Sequence, residues 1–313
     1  MPFTDKPQVF NASINTFTFG AEGKTVTLGG SNVYPLYSFD AELPNAPKVG
    51  VVVSDRGVDL TLPGMAEFYA GCATAAEQAK RASEMPGGDF VCLTLDSADP
   101  NGENTSVEDC VALVKSVAAS IDKPLAVVGC KNADKDTELF VKIADALQGS
   151  SILLLSAKEE DYKTIGASAV LAYGQNIGAE SAVDINLAKQ LNVLLSQLGV
   201  PAGKVVMNLG SAAAGYGFEY LASTIDRVKG AALTQNDNML QMPVVTMVGD
   251  DAWNVKEALL EEADAPEWGS REERGIQMEV VTASACLASG SDAVLLRHPA
   301  SVKTISELVS ALM

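Results

Sequence analysis

The chain has 313 residues, of which 47% are hydrophobic and 20% charged, and its formal net charge is −18. This composition is typical of a globular protein with a sizeable core, in one large domain or two smaller ones. Because so negative a surface repels nucleic-acid phosphates and anionic lipids, we expect neither nucleic acid nor a membrane as a partner. The N-terminal stretch has no apolar core for export, which predicts a cytoplasmic protein.

The first 47 residues differ from the rest of the chain. In TFTFGAEGKTVTLGG (16–30), alternating apolar residues flank a turn with Gly20 and Gly23, which predicts a β-hairpin with one apolar face. A connector rich in proline follows and ends where the first buried strand begins. We therefore expect an N-terminal hairpin and connector over residues 1–47 and a main domain over residues 48–313.

The main domain repeats one unit, in which a short β-branched run precedes turn residues and an amphipathic helical pattern. The runs are apolar at nearly every position, as in strands of a parallel sheet that are buried on both faces. They lie at 49–54, 90–95, 124–129, 151–156, 169–173, 204–209, 244–249 and 292–297. Eight strands that each precede a helix predict an α/β fold, a (β/α)8 TIM barrel with an N-terminal β-hairpin extension. An open doubly wound sheet is the alternative.

Candidate functional residues stand at the carboxyl ends of these strands, which form the reactive end of a TIM barrel and are called the mouth below. By position alone we nominate six cofactor-binding residues: Asp55, Asn132, Gln175, Asn176, Asn208 and His298. Asp55, Asp96, Asp250 and Asp251 could pair or bind Mg²⁺ there, but in so acidic a chain loop residues and helix caps are the simpler interpretation.

No self-sufficient catalytic or metal site emerges from the motifs. His298 is the single histidine, whereas zinc needs several ligands, and no G-x-S-x-G elbow accompanies it. We favour a structural role for His298 over a direct functional one. Lys131 follows a strand in a loop, whereas a Schiff-base lysine needs a desolvated pocket. The glycines of residues 208–220 match neither the dinucleotide-binding nor the P-loop spacing.

The five cysteines form no C-x-x-C pair, so neither a zinc site nor an iron–sulfur cluster is indicated in this chain. Their odd number and a reducing compartment argue against disulfide bonds.

Seven segments, taken in order, resemble the small (delta) subunit of the corrinoid/iron–sulfur protein of the acetyl-CoA decarbonylase/synthase system. They are LDSADPNGENTSVEDCV (95–111), VVGCKNADKD (127–136), DINLAKQLN (184–192), GYGFEY (215–220), MPVVTMVGDDAWNVKEA (242–258), WGSREERGIQMEVVTA (268–283) and LLRHPASV (295–302). Three positions depart from the family pattern. Gln175 stands where a histidine is usual, Asn208 begins the pair that replaces Asp-Pro, and Gln277 begins the pair that replaces Leu-Trp.

The resemblance implies a TIM barrel without a cluster of its own, in a heterodimer with a large subunit that carries a [4Fe–4S] cluster and a corrinoid-binding domain. The barrel mouth would cover the corrinoid (cobamide) at the subunit interface, and His298 would shape the mouth without binding cobalt. In the reductive acetyl-CoA (Wood–Ljungdahl) pathway, the cobalt takes a methyl group from methyltetrahydrofolate methyltransferase and delivers it to acetyl-CoA synthase. The resemblance therefore implies a non-catalytic subunit of a methyl-transfer complex.

Two enzyme hypotheses remain open beside this one. In the first, the barrel itself binds a methyl-pterin and methylates a corrinoid protein, with Asp55, Asp96, Asn132 and Asn208 pairing with the pterin ring. In the second, the barrel is an unrelated enzyme such as an aldolase that uses Lys131.

Overall fold

The computed structural model describes Thr4 and residues 6–21, 23–34 and 36–313. Within these residues, β1 (Phe17–Phe19) and β2 (Val26–Leu28) pair in an antiparallel hairpin. Eight further strands form one parallel sheet: β3 (Lys48–Ser54), β4 (Phe90–Thr94), β5 (Leu125–Val128), β6 (Leu153–Ala157), β7 (Asn176–Glu180), β8 (Val205–Asn208), β9 (Val245–Thr246) and β10 (Ala293–Leu296). The predicted hairpin is confirmed.

Helices surround the sheet: α1 (Pro63–Phe68), α2 (Ala75–Ser83), α3 (Val107–Ser120), α4 (Ala133–Ala146), α5 (Tyr162–Ile165), α6 (Ile185–Leu198), α7 (Phe218–Thr234), α8 (Val248–Ala252), α9 (Lys256–Leu259), α10 (Arg271–Ser289) and α11 (Pro299–Leu312). Their ends follow local sequence signals. Ser106 caps α3 by accepting the Asp109 N–H, and Gly199, at φ 97°, ends α6 in the left-handed region. Across the described ranges, no helix is long and apolar enough to cross a membrane.

The parallel sheet closes into a barrel. Hydrogen bonding follows the order β8, β7, β6, β5, β4, β3, β10, β9, and the two ends of this series meet through a parallel bridge between Met207 and Val244. The Met207 N–H donates to the Pro243 carbonyl at 2.7 Å in the same place. The (β/α)8 prediction is therefore confirmed, because an open doubly wound sheet would leave these two edge strands apart.

The hairpin closes the amino-terminal end of the barrel, called the bottom below. Phe17, Phe19, Val26 and Leu28 are buried against the inward-facing side chains of the barrel strands. The Phe19 and Phe90 rings meet edge to face with their centroids 5.2 Å apart. Gly50 leaves room for this packing, since a Cβ there would lie 2.5 Å from both Phe90 and Leu295. An apolar plug thus seals the bottom.

One strand prediction was wrong. The predicted fifth strand, residues 169–173, falls at the end of a helical segment, Gly166–Ala172, that continues α5 and belongs to the outer layer. Ala169 and Val170 are buried there while Leu171 is exposed, as on an amphipathic helix. A short apolar run does not by itself distinguish a strand from a buried helix segment. The fifth barrel strand is β7, whose sequence NIGAE carries little apolar signal.

This correction moves Gln175 and Asn176 from the mouth to the bottom, because they stand at the start of a strand and not at its end. Gln175 is fully buried, accepts the Ile152 N–H at 2.9 Å and donates to the Leu147 carbonyl at 2.8 Å. Asn176 donates to the Ser151 and Ile152 carbonyls at 3.0 and 3.1 Å. The Gln175 amide thus ties the end of α4 to the start of β6, the Asn176 amide ties β7 to the residues just before β6, and neither faces the mouth.

Candidate functional site

Two cavities open side by side at the mouth. The first, the acidic pocket, has a volume of about 240 Å³ and is lined by Lys131, Lys158, Glu180, Asn208, Asp250 and Asp251, among others. The second, the arginine pocket, has a volume of about 330 Å³ and is lined by Arg56, Leu62, Met65, Trp253, Arg297 and His298, among others. The acidic pocket adjoins β5 to β9, and the arginine pocket adjoins β3, β4 and β10.

A chain of ion pairs separates the two pockets. Asp250 lies in the first turn of α8 and pairs with two cations. One carboxylate oxygen lies 3.2 Å from Lys131 Nζ, and the other lies 2.7 Å from a terminal nitrogen of Arg297. Lys131 extends from the β5 end and Arg297 from the β10 end, so the bridge crosses the mouth. Because the Lys131 side chain is 67% exposed, its half of the bridge contributes little stability.

Polar side chains from three neighbouring strands meet at the base of the acidic pocket. The Asn208 amide donates to Ser156 Oγ at 3.0 Å and lies 3.4 Å from Glu180 Oε2. The Asn208 side-chain oxygen, Oδ1, accepts a hydrogen bond from the Gly210 N–H at 3.1 Å, which fixes the orientation of the side-chain amide. Lys158 Nζ lies 3.7 Å from Glu180 Oε1. A bound group would therefore meet both hydrogen-bond donors and acceptors within this pocket.

Three carboxyls, one half-buried and two buried, hold the loops of the mouth. Asp55 accepts the Ser97 N–H and hydroxyl, at 3.1 and 2.5 Å. Asp136 accepts the Cys130 N–H at 2.7 Å, and Asp161 accepts the Lys158 N–H at 2.6 Å. Burial raises the pKa of Asp55 and Asp136 above the ordinary value, although their hydrogen bonds oppose the shift. Burial likewise raises the pKa of Asp161 to about 6.

The environment of His298 engages both of its ring nitrogens. Nδ1 accepts the Ala300 N–H at 3.1 Å and so caps α11, which places the proton of a neutral ring on Nε2. Nε2 then donates to Glu272 Oε1 at 3.1 Å. The ring is 3% exposed and stacks on Trp253 with centroids 5.7 Å apart. His298 is thus a wall of the arginine pocket whose nitrogens are already bonded.

A family profile described as the CO dehydrogenase/acetyl-CoA synthase delta subunit matches residues 16–295. The chain belongs to this family. It is 32% identical over 300 residues to the acetyl-CoA decarbonylase/synthase complex subunit delta 2 of Methanosarcina acetivorans, covering 94% of this chain and 67% of that protein. The delta subunit of Archaeoglobus fulgidus is also 32% identical, over 94% of this chain and 65% of its own length. The resemblance stated from the sequence is confirmed.

Solved structures with a similar fold include dihydropteroate synthases. That of Xanthomonas albilineans, solved with 4-aminobenzoic acid, superposes with a TM-score of 0.58 over 95% of this chain and 98% of its own, at 14% identity. That of Vibrio fischeri gives a TM-score of 0.59 at 9% identity, over 94% and 97% of the two chains. At these identities the likeness establishes the TIM-barrel fold of the delta-subunit chain and nothing more.

Four of the six nominated residues lie at the mouth of this delta-family barrel, and two of those line a pocket. Asn208 lines the acidic pocket and His298 the arginine pocket. Asp55 instead holds the loop after β4, and Asn132 caps α4 by accepting the Lys135 N–H at 3.1 Å. Gln175 and Asn176 lie at the bottom, as described above.

The nominations missed Glu180, Lys158 and Trp253. Glu180 ends β7, so it was lost with the misassigned strand. Lys158 directly follows β6, and the rule of strand ends could have found it. Trp253 follows α8, away from any strand end, and no local signal marks it.

Four of the five thiols of this delta-family chain are buried and are poor metal ligands. Burial raises the pKa of Cys110 and Cys130 to about 11 and that of Cys286 to about 12, and it also raises the pKa of Cys92. Protonated thiols are weak ligands, because metals bind the thiolate. In the part of the chain that the structure describes, no group of three His, Cys, Asp or Glu side chains could hold a metal ion.

Proposed function

We propose that this chain covers a corrinoid at the interface with a corrinoid/iron–sulfur large subunit, while a methyl group passes from methyltetrahydrofolate methyltransferase to acetyl-CoA synthase. The observation that carries the proposal is the contrast between the barrel ends in a member of the delta-subunit family. The bottom is plugged by the hairpin, and the mouth presents two adjacent polar cavities with a bridge between them. A broad, flat cofactor fits such a face better than it would fit a single deep cavity.

The residues of the mouth suit a corrinoid held mainly by another subunit. The ring edge of a corrinoid carries amide arms, which need donors and acceptors such as Asn208, Lys131 and Asp251. The single histidine offers no free nitrogen as an axial ligand, since Nδ1 and Nε2 are both hydrogen-bonded within the chain. When bound, the corrinoid would supply the cobalt that carries the methyl group. This chain would bind the ring edge, orient it and limit the access of water.

The [4Fe–4S] cluster of this proposal belongs to the large subunit. Clusters need several thiolate ligands, whereas burial keeps Cys92, Cys110, Cys130 and Cys286 protonated in this chain. Cobalt and iron should therefore appear together, and only in the presence of the partner.

The first test is a visible spectrum with cobalt and iron analysis, on the chain purified alone and co-purified with the large subunit. We expect a corrinoid spectrum with about one cobalt and about four iron atoms per heterodimer, and neither metal on the chain alone. A chain that fails to co-purify with the large subunit would contradict the proposal.

A matched pair of exposed aromatic residues tests which face docks. Tyr220 is 68% exposed in the first turn of α7, at the mouth, and Phe39 is 67% exposed near the end of α11, at the bottom. Because aromatic residues often dominate interface energies, Tyr220→Asp should weaken the heterodimer by about tenfold or more. Phe39→Asp should leave its dissociation constant unchanged. The reverse result would place the interface at the bottom.

A second candidate is a methyltransferase that itself binds a methyl-pterin. In its favour, the Glu180 carboxylate and the Asn208 amide lie 3.4 Å apart at the base of the acidic pocket and offer the acceptor and donor that a pterin edge needs. Calorimetry with methyltetrahydrofolate on the isolated chain separates the candidates. Saturable heat that Asn208→Ala abolishes would support the enzyme, and the absence of heat at millimolar ligand would exclude it.

The aldolase hypothesis receives no support from geometry. Lys131 is 67% exposed and paired with Asp250, which is opposite to the desolvated environment that a Schiff-base lysine needs.

A further inference from the structure

The arginine pocket concentrates positive charge in an acidic chain. Three of the six arginines of the sequence line it, namely Arg56, Arg271 and Arg297, against two carboxylates, Asp59 and Asp96. The acidic pocket is the opposite case, with two lysines against four carboxylates. Two neighbouring cavities in one mouth therefore differ in the sign of their formal charge.

The carboxylates of the arginine pocket are already satisfied by the protein. Asp96 accepts hydrogen bonds from the Ser54 and Thr94 hydroxyls, both at 2.6 Å. Asp59 accepts the Thr61 N–H at 2.9 Å and lies 3.4 Å from Arg271. These acids do not need the remaining arginines as partners.

Arg56 and Arg297 keep unused donors. Arg56 donates from Nε to Glu103 at 2.7 Å, and Arg297 donates from one terminal nitrogen to Asp250 at 2.7 Å. Within residues 6–21, 23–34 and 36–313, the other guanidinium nitrogens of these two side chains make no hydrogen bond. A guanidinium has five N–H donors in a planar fork that matches carboxylate and phosphate oxygens. The pocket thus offers two incompletely used anion-binding groups.

One wall of the pocket is apolar. Leu62, Met65 and Trp253 form this wall and are buried. The Trp253 indole N–H is buried within this wall and has no acceptor among the described residues. At about 330 Å³, the cavity falls at the lower end of the range of about 300 to 1,000 Å³ that is usual for small-molecule sites.

We propose that the arginine pocket binds a small organic anion, with a carboxylate or phosphate head on Arg56 and Arg297 and an apolar body against Leu62, Met65 and Trp253. His298 serves as a fixed wall, since both of its nitrogens are engaged by Ala300 and Glu272. This inference does not depend on the proposed corrinoid role, because the pocket is complete within one chain and can be tested without a partner.

The test uses the indole N–H signals of the chain in nitrogen-15 NMR. The sequence contains two tryptophans, and Trp268→Phe assigns the Trp253 signal. Benzoate should shift that signal saturably with a dissociation constant of about 1 mM or lower, and benzamide, its uncharged analogue, should bind about tenfold more weakly or worse. Phenyl phosphate, tested in parallel, shows which head group the pocket prefers. Equal binding of benzamide and benzoate, or no shift with either anion, would overturn the proposal.

Variants decide whether the arginines carry the recognition. Arg56→Gln and Arg297→Gln should each weaken the binding of the preferred anion by about tenfold. Arg227→Gln, on an exposed part of α7 outside both pockets, is the matched control and should leave binding unchanged. Arg56 is exposed, so its replacement is compatible with folding, and an unchanged Trp253 signal in the free variant verifies this. Anion binding that survives in both pocket variants would contradict the assignment.

Discussion

The two ends of the barrel use the same kinds of residue in opposite ways. At the bottom, aromatic and aliphatic side chains of the hairpin fill the barrel, and the ion pair of Lys229 with Asp292 is almost completely buried. At the mouth, Lys131 of the Lys131–Asp250 pair is exposed to solvent. Burial also raises the pKa of the Asp55, Asp136 and Asp161 carboxyls above the ordinary value. The bottom is thus built for stability, whereas the mouth retains ionisable groups whose partial burial costs stability.

The aromatic plug offers the sharpest contrast between the ends. Phe19 is fully buried and packs on Phe90, so Phe19→Ala should lower the free energy of unfolding by about 3–5 kcal/mol through lost contacts and a cavity. Tyr220→Ala, at the exposed mouth, should change it by less than about 0.5 kcal/mol. Denaturant unfolding of the two variants measures both effects. Similar losses would mean that the hairpin does not contribute to the barrel core.

The two ion pairs allow the same comparison with charged groups. Lys229 Nζ lies 2.5 Å from Asp292 Oδ2, and Lys229→Met leaves that carboxylate buried with the Val244 N–H, at 2.7 Å, as its remaining partner. We expect a loss of about 3 kcal/mol in the free energy of unfolding. Lys131→Met should cost less than about 1 kcal/mol because its pair is exposed. If Lys229→Met with Asp292→Asn were no more stable than Lys229→Met alone, the buried charge would not be the cause.

The sequence predicted the bottom and the framework more completely than the mouth. Seven of the eight barrel strands were found, because continuous apolar runs reveal strands buried on both faces. The strand β7 was missed because its Asn176, Gly178 and Ala179 carry little hydrophobic signal while a neighbouring helix carries more. That single error misplaced Gln175 and Asn176 and concealed Glu180.

Within the mouth, position along a strand predicts which residues arrive there but not what they face. Asn208 and His298 were found by this rule and line the pockets. Asp55 and Asn132 were found by the same rule, but Asp55 bonds to the loop after β4 and Asn132 caps α4. The division of the mouth depends on the contact between Lys131 and Asp250, which are 119 positions apart in the sequence, and no local pattern encodes such a contact.

The smallest predicted effect concerns the raised pKa of Asp161. Between about pH 4 and pH 6, a carboxyl with a folded pKa of about 6 binds more protons in the folded state than in the unfolded state. Its stabilising contribution is therefore present at low pH and is lost as the pH rises through this window. Asp161→Asn keeps the acceptor for the Lys158 N–H and removes the charge, so its stability relative to the unmodified chain should be higher at pH 7.5 than at pH 4.

Asp122, at the bottom, supplies a control of opposite sign. Its hydrogen bond and ion pair with Lys24, at 2.9 Å, lower the pKa of the Asp122 carboxyl. The contribution of a lowered pKa is present above the unfolded value and is lost in acid. Asp122→Asn should therefore be less stable than the unmodified chain at pH 7.5, with the difference shrinking toward pH 3. Urea unfolding of both variants across this pH range gives the two slopes. If the two variants had pH slopes of the same sign, the pKa shifts of Asp161 and Asp122 would not be opposite, as the structure indicates they are.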